Sequence, residues 1–141
     1  ILIDTKFEQN VPQIIAKVRG LTDKPIRYIL NTHLHGDHTG GNKKLMELPG
    51  VTAFAHTNAR EMMIAQKLPG VPQVAFGDRG SVSLGGKTVE AYYFGRAHTR
   101  GDMFYYFPAR RVVHTGDAFV RTAPNIGSDW ARSPWARSRW L

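Results

Sequence analysis

Three histidines and an aspartate crowd into six consecutive positions of this 141-residue chain: His33, His35, Asp37 and His38, in the stretch 31–41. Imidazole and carboxylate groups are costly to bury unpaired, so packing does not call for such a cluster. At this composition the pattern His-x-His-x-Asp-His arises by chance roughly once in two thousand chains, which sets it above noise. Neutral imidazoles with a carboxylate are ligands for Zn²⁺, and also for Fe or Mn. Gly36 gives the backbone freedom to turn, so that alternate side chains converge on two ions rather than one. Two more candidate ligands follow apolar runs: His98, in the stretch 95–102, and Asp117, closing the stretch 114–117. Ligands that each follow a strand collect at one edge of a sheet. His56 also follows a strand and reads as a cap or loop histidine. His114 lies inside a strand run and reads as structural.

The elements that must carry these groups change character along the chain. Residues 1–4 read as a buried strand end, and Asn10 as the cap of a short helix with Pro12 in its first turn and Gly20 after it. Residues 26–30 and 51–55 read as strands, with helices at 42–48 and 57–68; Thr57 is the expected cap of the latter. Strand and helix in alternation imply crossover units and a covered sheet. Beyond residue 80 the pattern is β-rich. Runs 81–84 and 87–94 meet at Gly85-Gly86, and runs 103–107 and 110–114 meet at Pro108-Ala109, both read as hairpins.

Composition narrows the chemistry further. A chain of 15.8 kDa fits one ordinary domain. It contains no cysteine, which removes disulfides, thiolate catalysis and Cys-ligated metal sites. No apolar run reaches the roughly eighteen residues of a membrane helix, and no signal peptide precedes Ile1, so no membrane partner is expected and the compartment stays open. The chain opens inside a strand without an initiator methionine, as a piece of a longer protein would. The net charge of +8 favours anionic partners. The basic residues are scattered, however, and accompany no recognised nucleic-acid module, so nucleic acid is not the expected partner. Trp130, Trp135 and Trp140 recur every five residues among arginines, a spacing neither helical nor strand-like. Residues 127–141 are therefore expected to be an unstructured or non-native tail behind a partial domain at 1–126.

The ordered motifs HLHGDH, AHTRGD and HTGD resemble those of the metallo-β-lactamase superfamily of metal-dependent hydrolases. The resemblance implies an α/β fold: an αββα sandwich with its site at one edge between two sheets. By motif, His33, His35 and His98 resemble the ligands of a first metal, Asp37 and His38 those of a second, and Asp117 the carboxylate between them. Asp4 matches an acidic residue that packs near the site without binding metal. Asp4, Thr32, Thr99 and Thr115 are the expected partners of the ligand ring N–H groups. Family members are longer and supply a further histidine from a late loop. No histidine follows His114 here, so the sandwich and the second metal site are expected to be incomplete.

The implied activity is that of a hydrolase holding Zn²⁺, two ions by the resemblance. A metal-activated water attacks a small-molecule ester, thioester, lactone or β-lactam-like substrate, and Asp37 orients that water. Two other readings stay open: a single-metal chain without turnover, and a basic nucleic-acid binder. The first two predict metal dependence. The third predicts binding that survives chelation and weakens with salt. Nothing in the sequence indicates a homo-oligomer.

Overall fold

The computed structural model describes residues 1–120 and 123–124. The expected domain boundary at 126 and the Trp/Arg tail at 127–141 lie outside the described residues.

Four short strands form a parallel sheet in chain order: β1 (Leu2–Ile3), β2 (Tyr28–Leu30), β3 (Thr52–His56) and β4 (Val74–Phe76). Parallel neighbours need long crossovers. These contain α1 (Val11–Arg19), then α2 (Gly36–Thr39) with α3 (Asn42–Met46), then α4 (Thr57–Ala65). The side chains of β2 and β3 alternate between two cores. Ile29 and Ala53 face the helices and join Val11, Leu45 and Val51 in a fully apolar cluster. Leu30 faces the other way, into the gap between the sheets, with Phe54 packed beside it.

The second sheet is an antiparallel meander of β5 (Arg79–Leu84), β6 (Lys87–Tyr93), β7 (Met103–Phe107) and β8 (Val112–His114). Its inner face sends Val82, Val89, Ala91, Met103 and Tyr105 onto Leu30. A small antiparallel pair follows, β9 (Phe119–Val120) with β10 (Ala123–Pro124). This is the expected αββα sandwich, incomplete among the described residues. After residue 79 they contain no α-helix, and the outer face of the second sheet leaves Phe94 62% and Val113 54% exposed. No helix among the described residues is long and apolar enough to cross a membrane.

Several local expectations shift. The strand β4 has no counterpart in the sequence reading. Two of its three residues are exposed, so it has no burial period, and it forms by pairing with β3 from Phe54↔Val74 to His56↔Phe76. Asn10 makes no side-chain cap, because a 3₁₀ turn over Glu8–Asn10 already leads into α1. His56 rather than Thr57 caps α4, its ring accepting from the backbone N–H of Asn58, while the Thr57 hydroxyl donates to Phe76 O. The polar stretch after β2 contains the one-turn helix α2, which carries Asp37 and His38.

Two bonds tie the second sheet to the end of β2, where the site begins. The fully buried Tyr105 hydroxyl donates to Asn31 O at 2.8 Å, and Met103 N donates to Thr32 O at 2.8 Å. Beneath them Asn31 and Asn42 exchange side-chain hydrogen bonds, at 2.7 and 3.2 Å, and Asn31 Nδ2 also reaches His38 O. Buried amides satisfied this fully fix the backbone from which the histidines project.

Candidate metal centre

His33, His35, Asp37 and His38 leave the C-terminal end of β2 and wind into α2. His98 lies in the turn between β6 and β7, and Asp117 in a 3₁₀ turn after β8. All six expected ligands thus stand at strand ends on one edge of the sandwich. Gly116, at φ +52°, allows the approach of the last: a Cβ there would lie 2.5 Å from Thr32 Oγ1.

Five of the six side chains fall into two groups that share His33, and Asp37 stands beside the second. In the first, His35 Nδ1 lies 3.1 Å from His33 Nε2 and 3.1 Å from His98 Nε2. In the second, ring nitrogens of His33 and His38 and a carboxylate oxygen of Asp117 lie within 4.8 Å of one another. Asp37 Oδ2 is 3.4 Å from His38 Nε2, and its side chain is 53% exposed. Asp117 stands between the groups, with Oδ1 3.3 Å from His38 Nε2 and Oδ2 3.8 Å from His98 Nε2.

A hydrogen-bond chain assigns the tautomers. Asp4 accepts from Thr32 N at 2.8 Å and from the Thr32 hydroxyl at 2.7 Å. That hydroxyl, its proton given to a carboxylate, accepts from His33 Nδ1–H at 3.0 Å. His38 Nδ1–H donates to Asp4 Oδ2 at 2.7 Å. His33 and His38 therefore both turn the lone pair of Nε2 inward. Asp4 sits in the left-handed region at φ +55°, a conformation non-glycine residues rarely adopt, aspartate and asparagine being among the tolerant ones. Of the four expected partners, Asp4 and Thr32 hold ring nitrogens. The Thr99 hydroxyl donates to Asp102 and that of Thr115 to backbone carbonyls.

Electrostatics separates the histidines. Burial, reinforced by the neighbouring histidines, lowers the pKa of His33 to about 2, so it is neutral at any ordinary pH. Burial and His98 likewise lower His35. At His38 burial opposes the charged form, but the hydrogen bond and charge of Asp4, with Asp117 and Asp37, outweigh it and raise the pKa.

The donor set fits a cation. Neutral imidazole nitrogens meeting at 3.1 Å are acceptors facing acceptors, and one shared proton relieves only one such pair. The edge of a tetrahedron around zinc with Zn–N bonds of 2.0–2.1 Å is about 3.3 Å, close to that spacing. The neutral His38 tautomer would set a lone pair of Nε2 against two carboxylates, a clash that a proton, as the raised pKa reflects, or a cation relieves. These residues can hold one or two metal ions.

His56 and His114 belong to neither group. His56 stacks on Tyr93 with centroids 3.9 Å apart, and His114 Nδ1 accepts from Gly116 N. An open groove of about 840 Å³ runs from Lys6 and Phe7 past Asp4 to Asp37, His38 and His114.

The role of Asp4 is testable on the metal-free chain. Asp4→Asn keeps the tolerance for positive φ and removes the charge. The His38 titration midpoint, followed by NMR of its ring protons, should move down from its raised wild-type value. An unchanged midpoint would remove Asp4 as the cause.

The family model described as the metallo-beta-lactamase superfamily matches residues 1–141. A hydroxyacylglutathione hydrolase of Crocosphaera subtropica is 40% identical over 92 residues, covering 64% of this chain and 33% of the relative. A probable hydroxyacylglutathione hydrolase of Schizosaccharomyces pombe is 28% identical over 119 residues, 82% of this chain and 42% of the relative. The chain therefore spans about a third to two fifths of the length of these relatives. Among solved structures, a metallo-beta-lactamase from Pontibacter korlensis superposes with a TM-score of 0.77 at 22% identity, over 91% of this chain and 60% of that one. DIM-1 metallo-beta-lactamase superposes with a TM-score of 0.73 at 18% identity, over 85% and 55%. At these identities the two structures speak for the fold alone.

Proposed function

Because this chain belongs to the metallo-beta-lactamase superfamily, we propose that it carries the metal-holding part of a hydrolase that cleaves hydroxyacyl-glutathione-type thioesters. The convergence of five ligand-type side chains on one edge, in two groups sharing His33, with Asp37 beside them, is the observation that carries the hydrolase reading. The similarity to hydroxyacylglutathione hydrolases favours a thioester over a β-lactam. The net charge of +8 suits a carboxylate-bearing peptide thiol.

In this reading His33, His35 and His98 would hold one ion and Asp37 and His38 a second, with the Asp117 carboxylate available to either. Zinc held there supplies Lewis acidity toward the acyl carbonyl and a water acidic enough to attack near neutral pH. The chain's own residues do the rest. The Asp4–Thr32 pair keeps the His33 and His38 lone pairs aimed inward. Asp37, half exposed toward the groove, accepts a hydrogen bond from the incoming water at a carboxylate oxygen and orients it. A thiol leaving group, with a pKa of about 8.5, departs without strong general-acid help. That suits a site whose titratable groups are drawn into the two clusters.

The test is zinc-dependent loss of thioester absorbance with S-lactoylglutathione, run beside a β-lactam and a phosphodiester. Thioester turnover that disappears on chelation supports the proposal. Turnover of the β-lactam alone would move the substrate class. Zinc uptake with no turnover would leave a chain that binds metal without catalysis.

A further inference from the structure

The turn that carries His98 has no regular secondary structure, yet its ring must lie 3.1 Å from His35 Nδ1. Residues outside the ligand set hold it from three sides. From within, the carboxylate of Asp102, 2% exposed, closes the turn on itself. Its Oδ2 accepts from Thr99 N at 2.7 Å and Ala97 N at 3.3 Å, and its Oδ1 from the Thr99 hydroxyl at 2.9 Å. Gly101 N in turn donates to that hydroxyl at 3.2 Å. Both backbone neighbours of His98 are thus tied to one buried carboxylate, and charge-assisted bonds of this kind are the strong ones.

From outside, the turn is pinned to α4. The carbonyl oxygen of Arg100 accepts from Asn58 Nδ2 at 2.8 Å and from the Tyr93 hydroxyl at 3.0 Å. Asn58 is itself fixed at the start of α4 by His56, whose ring accepts from Asn58 N and stacks on Tyr93. Gly101 lies flat against the same helix: a Cβ there would come within 2.5 Å of Ala59 N. The third tie runs from Met103 N to Thr32 O, one residue from His33.

We propose that Asp102 and Asn58 are positioning residues for His98. Asp102 sets the internal shape of the turn and Asn58 sets its place against α4, so that the His98 ring meets His33 and His35. The inference rests on the metal-hydrolase reading for its consequence, but its geometric content stands in the metal-free chain. An Asn at 102 keeps the size and one acceptor, yet its amide would place a donor against the donors of Thr99 or Ala97. An Ala at 58 removes the side-chain tie at the turn surface and leaves the His56 cap, which uses the backbone.

The experiment compares the 141-residue chain with Asp102→Asn and Asn58→Ala. The first readout is the NMR cross-relaxation contact between the His98 and His35 rings without metal. The second is zinc affinity by competition with a chromophoric chelator. The proposal expects the ring contact to weaken or vanish in both variants while the resonances of the Met103 and Tyr105 core stay in place. It also expects zinc affinity to fall roughly ten- to hundred-fold, the usual effect of groups that orient a ligand. An intact ring contact, with zinc affinity within about twofold of wild type in both variants, would overturn it. If the parent chain takes up no zinc, the metal reading fails by itself. The ring contact then still decides: its loss supports the positioning role, and its persistence overturns it. Should Asp102→Asn unfold, Asn58→Ala decides by the same two criteria.

Discussion

Replacing His33 with glutamine should remove the ion of the three-histidine group and weaken binding at the second group. His33 turns a single lone pair inward and so ligates one ion, but its fully buried ring lies between the two sets of converging donors, its centroid 4.1 Å from that of His38. Removing a group that only orients a ligand costs about ten- to hundred-fold in affinity, so loss of this ring should cost more than about a hundred-fold. Glutamine keeps a polar side chain of similar bulk and avoids the cavity an alanine would leave. His35→Gln is the natural comparison, because His35 belongs only to the three-histidine group. Elemental analysis after dialysis against zinc, with chelator competition for affinity, reads both. The expected order is the larger loss for His33→Gln, whose ring also packs against the second group, and the smaller for His35→Gln. Wild-type zinc content in His33→Gln would exclude it as a ligand.

Acidification should destabilise the metal-free chain steeply, with His33 as the main cause. Its folded pKa is about 2, against an ordinary value of 6.5. Between those values the unfolded state binds a proton that the folded state refuses, so stability falls as pH falls. One such group contributes a limiting slope of about 1.4 kcal/mol per pH unit. Because the unfolded histidine is only half protonated at pH 6.5, going from there to pH 4.5 costs roughly 2 kcal/mol, a large part of the stability of a small domain. His35, also lowered, acts in the same direction. His38 acts in the opposite one. Its raised folded pKa adds stability that is present below pH 6.5 and is lost as pH climbs through the folded value. Denaturant unfolding of the metal-free chain across pH 4.5 to 7.5, beside His33→Gln, tests this. The variant should show a distinctly flatter acid limb. Parallel limbs would mean that some other group drives acid unfolding.

The candidate ligands were legible from type and spacing. His33, His35, Asp37 and His38 are close in sequence, and strand-then-ligand order placed His98 and Asp117 at the same edge. The α/β first half and the hairpin at Gly85-Gly86 were equally readable, since hydrophobic alternation and positive-φ glycines are local signals. Other features left no local trace. The strand β4 is short and mostly exposed, so no burial period marks it. His56 reads as a cap or loop histidine and does cap α4, but its stacking on Tyr93, 37 positions away, has no local signal. Asp102 follows a threonine and a glycine in an ordinary-looking turn. Its only sequence signal is an acid placed four residues after His98, too weak to single it out.

By itself, then, the sequence determined which ligand-type atoms this protein has and which strand ends carry them. Those follow from residue identity and from periodicities of two and 3.6 residues, both short-range properties of the chain. Tertiary structure alone decided how the ligands are aimed and charged. Asp4 reaches His38 across 34 positions, Asn58 reaches the His98 turn across 42, and the neutrality of His33 comes from burial among three other histidines. Desolvation, tautomer and ring orientation depend on which distant groups share a few ångströms of space. Strand pairing within one sheet brings Asp4 to His38, and the packing of the two sheets brings Asn58 to the His98 turn and His98 to His33.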